Sequence, residues 1–488
     1  MQSSKIILGS LAGAALLAGC ATKAPPTTAE IRAQAGAVAQ LTPESTWKAA
    51  PASAPAGGIQ DNWLATFGDP QLDALVAEAM ANNPDLRVTA TRVEQAAQYV
   101  ELAKAALRPS VNLLGTGGLN MGGGDVSSAL QGASLGVSWE PDLWGRMRYG
   151  RNAYEATYAS AQVDFEYGRQ SLAAMVAKSW FTASETWLQL QIVEDMVKSG
   201  QELTALTEKR WKLGPGNEQD LALVRVSLGN LRDTARQMRL AHEQSLRALE
   251  LLVGRYPGAE VMTRHDLPAL PAAIPVGLPL EMLERRPDLV AADRRVAAAF
   301  NRVGEAKATQ LPRIILNANV AVIESEILQL KDDFENPTGG VGAKFIAPLY
   351  QGGALKTQVS IRTLEQKEAV ADYARLALRA LGEVENALAA SNALAERDQV
   401  LQGTVADSER ALELTHASHR VGRVDLRAIE QQQLNVYSAR LALLRVQSEQ
   451  LAQRANLHLV LGGNFTTPPE PPAGVAQAQP APAAGGTH

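Results

Sequence analysis

Between positions 147 and 210 the chain has no proline, and glycine only at 150, 168 and 200. Along this stretch Leu172, Val176, Trp180, Ala183, Trp187, Leu190, Val193 and Val197 recur in steps of three and four, which places them on one stripe of an α-helix. Val370, Tyr373, Ala377, Leu381, Val384 and Leu388 repeat the spacing further on. At 1.5 Å per residue a helix of about 60 residues approaches ~90 Å. That is longer than a globular domain uses, so rods packed side by side in coiled-coil fashion are predicted. Gly200 and Gly382 mark where such a rod would kink or break. Two further helices are predicted over 72–107 and 280–311, stopped by Pro109 and Pro312, because proline lacks a donor and clashes with the preceding turn.

After each of those prolines the period changes to two. Leu135, Val137 and Trp139 alternate with Ser134, Gly136 and Ser138; Leu316, Ala318 and Val320 alternate with Asn317 and Asn319; Val341, Ala343, Phe345 and Ala347 alternate with Gly342, Lys344 and Ile346. Four strands are predicted, near 111–119, 132–140, 313–322 and 341–349. The alternation suits a barrel wall that is greasy outside and wet inside. It also suits an ordinary amphipathic sheet against a soluble core. Four strands cannot close a membrane barrel, and an open edge in lipid leaves backbone groups unpaired. A membrane reading therefore requires copies of the chain to share one barrel, with eight strands from two copies or twelve from three. The connections 120–131 and 323–340 are rich in Gly, Ser and acidic residues, as solvent-facing tips are.

The chain repeats itself. Asn83, Pro84, Asp85 and Leu86 recur as Arg286, Pro287, Asp288 and Leu289; Lys212, Leu213 and Gly214 recur as Arg420, Val421 and Gly422; Leu252, Val253 and Gly254 recur as Val460, Leu461 and Gly462. The offset is 203 residues early and 208 late, so one helix–strand–strand–helix unit has been used twice. The repeats are placed at 61–264 and 265–465.

The ends differ in character. Lys5, the short apolar run 6–17, and then Leu17, Ala18, Gly19 and Cys20 read as a bacterial lipoprotein signal over 1–19, with Cys20 lipidated by a palmitate-type acyl chain and becoming the mature N-terminus. A secreted protein with a stray cysteine is the alternative. The apolar run is short of the roughly 20 residues a membrane-spanning helix needs. Residues 20–60 are expected to be a flexible spacer behind the anchor, and 466–488 a disordered tail. Cys20 is the sole cysteine, so no internal disulfide can form.

Chemistry is sparse. The net charge of −5 is scattered and offers no footprint for nucleic acid. The turn Leu213, Gly214, Pro215, Gly216 lacks the Lys and Ser/Thr of a phosphate loop. His416 and His419 share a helix face without an obvious third ligand. No enzyme, metal or cofactor is expected. A lipid-anchored periplasmic coiled-coil adaptor or structural rod explains the helices equally well, but not the two prolines each followed by strands.

Trp63, Phe67, Gly68, Asp69, Pro70 and Leu72, then Asn83, Pro84, Asp85, Leu86, then Asp142, Leu143, Trp144, Gly145, Arg146, and in the second repeat Arg286, Pro287, Asp288, Leu289 and Tyr350, Gln351, Gly352, Gly353 resemble the outer membrane efflux protein family, in its lipoprotein branch of TolC-like channels. The resemblance covers roughly residues 60–463. It implies a mainly α-helical chain with a transmembrane β-barrel contribution, assembled as a homotrimer whose twelve-stranded barrel in the outer membrane continues into a long α-helical periplasmic barrel. It also implies docking to a periplasmic adaptor protein and, through it, to an inner-membrane pump of the resistance-nodulation-division (RND) type. The chain would then be a passive conduit.

In that family the helix hairpins taper to a periplasmic aperture held nearly shut by ion pairs and rings of acidic side chains. Here Asp220, Asp425 and Glu430 follow the two turns, and Arg423 or Arg427 could tie neighbouring hairpins together. Trimeric symmetry would turn an inward carboxylate into a ring of three. Asn217 and Asp425 also fit as ordinary helix caps.

The lipid anchor has a direct test. Cys20→Ser should abolish fatty-acid labelling of the exported protein; persistent acyl labelling of that variant would rule the anchor out.

Overall fold

The computed structural model describes residues 22–39, 46–50, 55, 57–117, 119–122, 125–128, 131–264, 266–276, 279–324 and 337–466. In chain order its elements are α1 (Thr28–Ala39), a 3-10 turn (Leu64–Phe67), α2 (Pro70–Asn82), α3 (Pro84–Ala105), β1 (Ser110–Thr116), β2 (Leu119–Gly122), β3 (Asp125–Ser128), β4 (Gln131–Trp139), α4 (Arg146–Lys212), α5 (Glu218–Val253), α6 (Pro279–Arg285), α7 (Pro287–Thr309), β5 (Arg313–Glu324), β6 (Thr338–Ile346), α8 (Ala354–Arg420) and α9 (Leu426–Leu461). Two compact units are built, each from matching parts of both sequence repeats. One takes residues 85–168 and 287–381 with the N-terminal stretch to 44, and holds the strands; the other takes 45–84, 169–286 and 382–488, and is helical.

The predicted rods are present. α4 and α8 are each 67 residues long and run unbroken through Gly200 and Gly382. At Gly200 the missing side chain leaves room for Leu228 and Leu231 of α5. On α4, Leu172, Val176, Trp180, Ala183, Leu190 and Val193 are buried, and on α8 so are Val370, Tyr373, Ala377, Val384 and Leu388. The helices predicted over 72–107 and 280–311 are each broken in two, at Asn83–Pro84 and at Arg286–Pro287. The residue before a proline is driven out of the α region, and Asn83 accordingly has ψ 124°. Each proline then serves as the first residue of a new helix, where its missing N–H costs nothing.

These breaks are where the helical unit is fastened. Asn83 Nδ2 donates to the carbonyl of Leu252 at 2.9 Å, and Arg286 Nη1 donates to the carbonyl of Val460 at 3.3 Å. In both repeats the side chain at the break satisfies a carbonyl that the last turn of α5 or α9 leaves open. Gly254 and Gly462 end those helices with φ 80°. A Cβ on Gly254 would lie 2.7 Å from the carbonyl oxygen of Asn82, and one on Gly462 would lie 3.1 Å from the amide nitrogen of Arg286. Only glycine meets both the left-handed turn and the close approach.

The motif from Trp63 to Leu72 is the core of the same unit. Trp63 stacks on His458 at 5.7 Å and meets Phe67 edge-on at 6.1 Å, while Phe67 lies 5.1 Å from Phe181. Burial pushes the His458 imidazole down to about 4, so it packs as a neutral ring. Asp69, which is buried, starts α2: its carboxylate accepts from the amides of Gln71 and Leu72 at 3.0 and 3.3 Å and from Trp180 Nε1 at 2.9 Å. A buried carboxylate is tolerated only with such donors. A capped helix start is typically worth about 1 kcal/mol.

The strand-bearing unit holds a four-stranded antiparallel sheet in the order β1-β4-β5-β6. The connection expected to be a plain tip at 120–131 contains the small antiparallel ladder β2–β3, a separate two-stranded sheet that lies between β1 and β4 in the chain. Most of the 323–340 tip lies outside the described residues, as do residues 1–19, Cys20 and residues 467–488. The segment expected over 20–60 as a flexible spacer contains folded structure among its described residues. It forms α1, whose Ile31 and Ala35 are buried and which lies on α7, and further along Trp47 is buried in the helical unit with its Nε1 donating to the carbonyl of Val276 at 3.2 Å. Alanine-rich composition hid that helix, because few large apolar residues mark its inner face.

Gly254→Ala should therefore destabilise the protein by more than the ~1 kcal/mol that a left-handed backbone costs an L-residue. Gly352→Ala, at φ 58° with nothing within 4 Å of the new Cβ, should show the backbone cost alone. Equal shifts of the two variants in thermal melting would disprove the fastening at Asn82–Asn83.

Candidate functional site

In an antiparallel pair, residues directly opposite share a face, so the registers sort the sheet into two. One face carries Val111 opposite Val137, Leu113 opposite Leu135, Val137 also opposite Ala318, Trp139 opposite Leu316, and Ile314 opposite Phe345. The other carries Asn112 opposite Gly136, Ser138 opposite Asn317, and Asn319 opposite Gly340. The apolar face is bare in the single chain: Leu113 is 76% exposed, Val341 89% and Phe345 68%. So large an apolar surface belongs against lipid or a partner. The strands of 9 to 12 residues in β4, β5 and β6 match the length a tilted membrane strand needs. At the helix end of the sheet Trp139 Nε1 donates to the carbonyl of Leu107 at 3.0 Å. Asp142 accepts from the amides of Met147 and Arg148 at 3.1 and 2.9 Å and from Arg148 Nε at 3.1 Å, which fixes the start of α4.

The helical unit carries the two hairpin tips, between α4 and α5 and between α8 and α9. Gly214 and Gly422 turn them with φ 98° and 73°. Asn217 caps α5 by accepting from Gln219 N at 2.9 Å, and Asp425 caps α9 by accepting from Ala428 N at 3.1 Å. Arg427 Nη2 donates to Asp220 Oδ1 at 2.7 Å, joining the first turns of α5 and α9. That hydrogen bond holds the Arg427 guanidinium above its ordinary range. Arg427, Asp220, Asp425 and Glu430 line one open cavity of about 340 Å³, together with Arg210 and His419. The structure thus brings all four sequence-selected residues together. Of the two arginines considered, Arg427 makes the bridge. Sequence reasoning missed Arg210 and weighed His419 only as one of a histidine pair on a helix face; His419 Nδ1 lies 2.9 Å from the carbonyl of Val424, a turn contact that no residue spacing announces. Among the described residues no group of acids, histidines or cysteines could hold a metal ion.

Residues 75–255 and 278–463 each match the outer membrane efflux protein family. The chain is 28% identical over 469 residues to the pyoverdine export outer membrane protein OpmQ of Pseudomonas putida, covering 92% of this chain and 95% of that one. It is 26% identical to the cation efflux system protein CusC of Escherichia coli, over 82% of this chain and 88% of the relative. Among solved structures, the outer-membrane channel OprN superposes with a TM-score of 0.77 at 25% identity, over 87% of this chain and 97% of that chain. The CmeC outer membrane channel of Campylobacter jejuni gives 0.80 at 22% identity, over 87% and 94%. A periplasmic rod without a barrel would leave both the two-faced sheet and these likenesses without account. The chain belongs to the outer membrane efflux protein family, a family of channels and not of enzymes, and is the outer-membrane channel component of a bacterial efflux system.

Proposed function

We propose that the mature protein is a lipid-anchored homotrimer, a passive conduit that receives solutes from an inner-membrane pump, of RND type, through a periplasmic adaptor protein. The observation that carries the trimer is the open sheet. β1 and β6 are paired on one side only, and a row of unpaired backbone groups cannot rest in hydrocarbon. Three copies supply the twelve strands of a water-filled barrel; two would supply eight, a number whose interior side chains fill. The domain reading goes with it: a signal at 1–19, an anchored segment at 20–60, efflux repeats at 61–264 and 265–465, and a tail at 466–488. Membership of the family supports the adaptor and the pump as partners.

The hairpin tips form the periplasmic aperture in this reading. Arg427 and Asp220 hold the α4–α5 and α8–α9 hairpins together within one chain, Asp425 fixes the start of α9, and Glu430 adds negative charge beside them. Three symmetry copies make rings that attract cations at the constriction.

Two measurements test the proposal. Native mass measurement in mild detergent should return three copies, and a clean dimer or tetramer would refute the assembly. In planar bilayers Asp220→Asn and Arg427→Gln should each raise single-channel conductance severalfold, and the exchange of the two charges should restore the closed level. Asp220→Ala, Asp425→Ala and Glu430→Ala combined should also lower cation preference. Unchanged conductance and selectivity in correctly trimeric variants would leave these residues as ordinary helix-tip side chains.

A further inference from the structure

The alternation that divides the sheet into two faces leaves cations on the polar one. Arg313 stands opposite Ile346 and Lys344 opposite Ile315. The two basic residues are therefore diagonal neighbours on β5 and β6, an arrangement that sets them about 7–8 Å apart, at the end of the sheet that joins α7. Val341 and Phe345 belong to the apolar face, and strict alternation along a strand puts Lys344 on the other. Both cations are exposed.

Their charge is only partly neutralised. Glu140, which follows β4, pairs with Arg146 at 3.0 Å and lies 3.9 Å from Arg313. One carboxylate thus serves two guanidinium groups, and no described residue forms an ion pair with Lys344. The remainder of the polar face in the four-stranded sheet is Asn, Ser, Thr, Gly and a few apolar residues, with no acidic side chain among its paired positions. In a chain whose formal net charge is −5, this end of the sheet is locally positive.

We infer that Arg313 and Lys344 form a cationic collar where the barrel meets the helices, and that the collar favours anionic solutes, those bearing carboxylate or phosphate groups, over cationic ones. The inference rests on the proposed barrel, in which three copies bring six such side chains around one water-filled cross-section. A unit charge about 8 Å away through salt water changes the local anion-to-cation ratio by about 2- to 5-fold, and low-dielectric walls focus the field further.

A reporter thiol reads the local field directly. Asn317→Cys places it on the polar face, two residues along β5 from the partner of Lys344. The full-length trimer in lipid vesicles is treated with an anionic and a cationic thiosulfonate reagent, both membrane-impermeant, and the parent chain without the reporter supplies the background. The anionic-to-cationic rate ratio should fall about 2- to 5-fold when Lys344→Gln and Arg313→Gln are combined, with trimer mass unchanged. A reactive reporter whose ratio does not move overturns the collar while leaving the barrel intact. A second reporter, Phe345→Cys, separates the two ideas. It should resist both reagents beneath lipid, and its ready modification with no reaction at the Asn317→Cys site would overturn the barrel and the collar with it.

Discussion

A β-strand in hydrocarbon has no water to satisfy its backbone, and this one constraint organises the strand-bearing unit. Within the chain β4 and β5 are paired on both sides, whereas β1 and β6 each keep a free edge. The apolar face is continuous across all four strands because the registers align Leu113 with Leu135, and Leu135 with Val320. A soluble sheet would cover that face with a helix. Here Val341 and Phe345 are left bare, and edge and face call for the same remedy, a ring of copies set in lipid.

The helical unit solves a different problem, the termination of very long helices. An α-helix that ends inside a packed structure leaves carbonyls open. Both repeats close them with the side chain at an X-Pro break, Asn83 for α5 and Arg286 for α9. The solution is shared while the residue differs: asparagine reaches the carbonyl of Leu252 with a neutral amide, and arginine reaches that of Val460 with a charged group that also pairs with Glu383 at 2.8 Å. Duplicated architecture has thus kept the geometry and exchanged the chemistry.

How much of this was legible in the sequence depended on the range of the interaction. The rods, the four strands and the helix starts at Asn217 and Asp425 follow from local spacing and were readable. The breaks at Pro84 and Pro287 obey the same rule as those at Pro109 and Pro312, that proline disrupts the turn before it, but the helical periodicity continues on both sides and masks them. The link between the Asn83 and Gly254 motifs, each noticed as a repeat, needed the fold to reveal that they touch. Arg427 reaching Asp220 across 207 positions is likewise a tertiary fact, since Arg423 was an equal candidate on spacing. Helix α1 carries no legible local signal, because its alanines give little amphipathic contrast.

The pairing of β4 with β5 has a consequence for how the chain must be made. β1 with β4 and β5 with β6 are local hairpins, but the central ladder joins Gln131–Trp139 to Arg313–Glu324. Everything in α4, α5, α6 and α7 is exported between them. The first hairpin must therefore wait, with its inner edge unsatisfied, until the second half of the chain has crossed the inner membrane. Long-range strand pairing of this kind is slow and leaves sticky edges exposed meanwhile. Assembly of the wall is thus a post-translocational event, and the first hairpin requires guarding in the periplasm until its partner arrives.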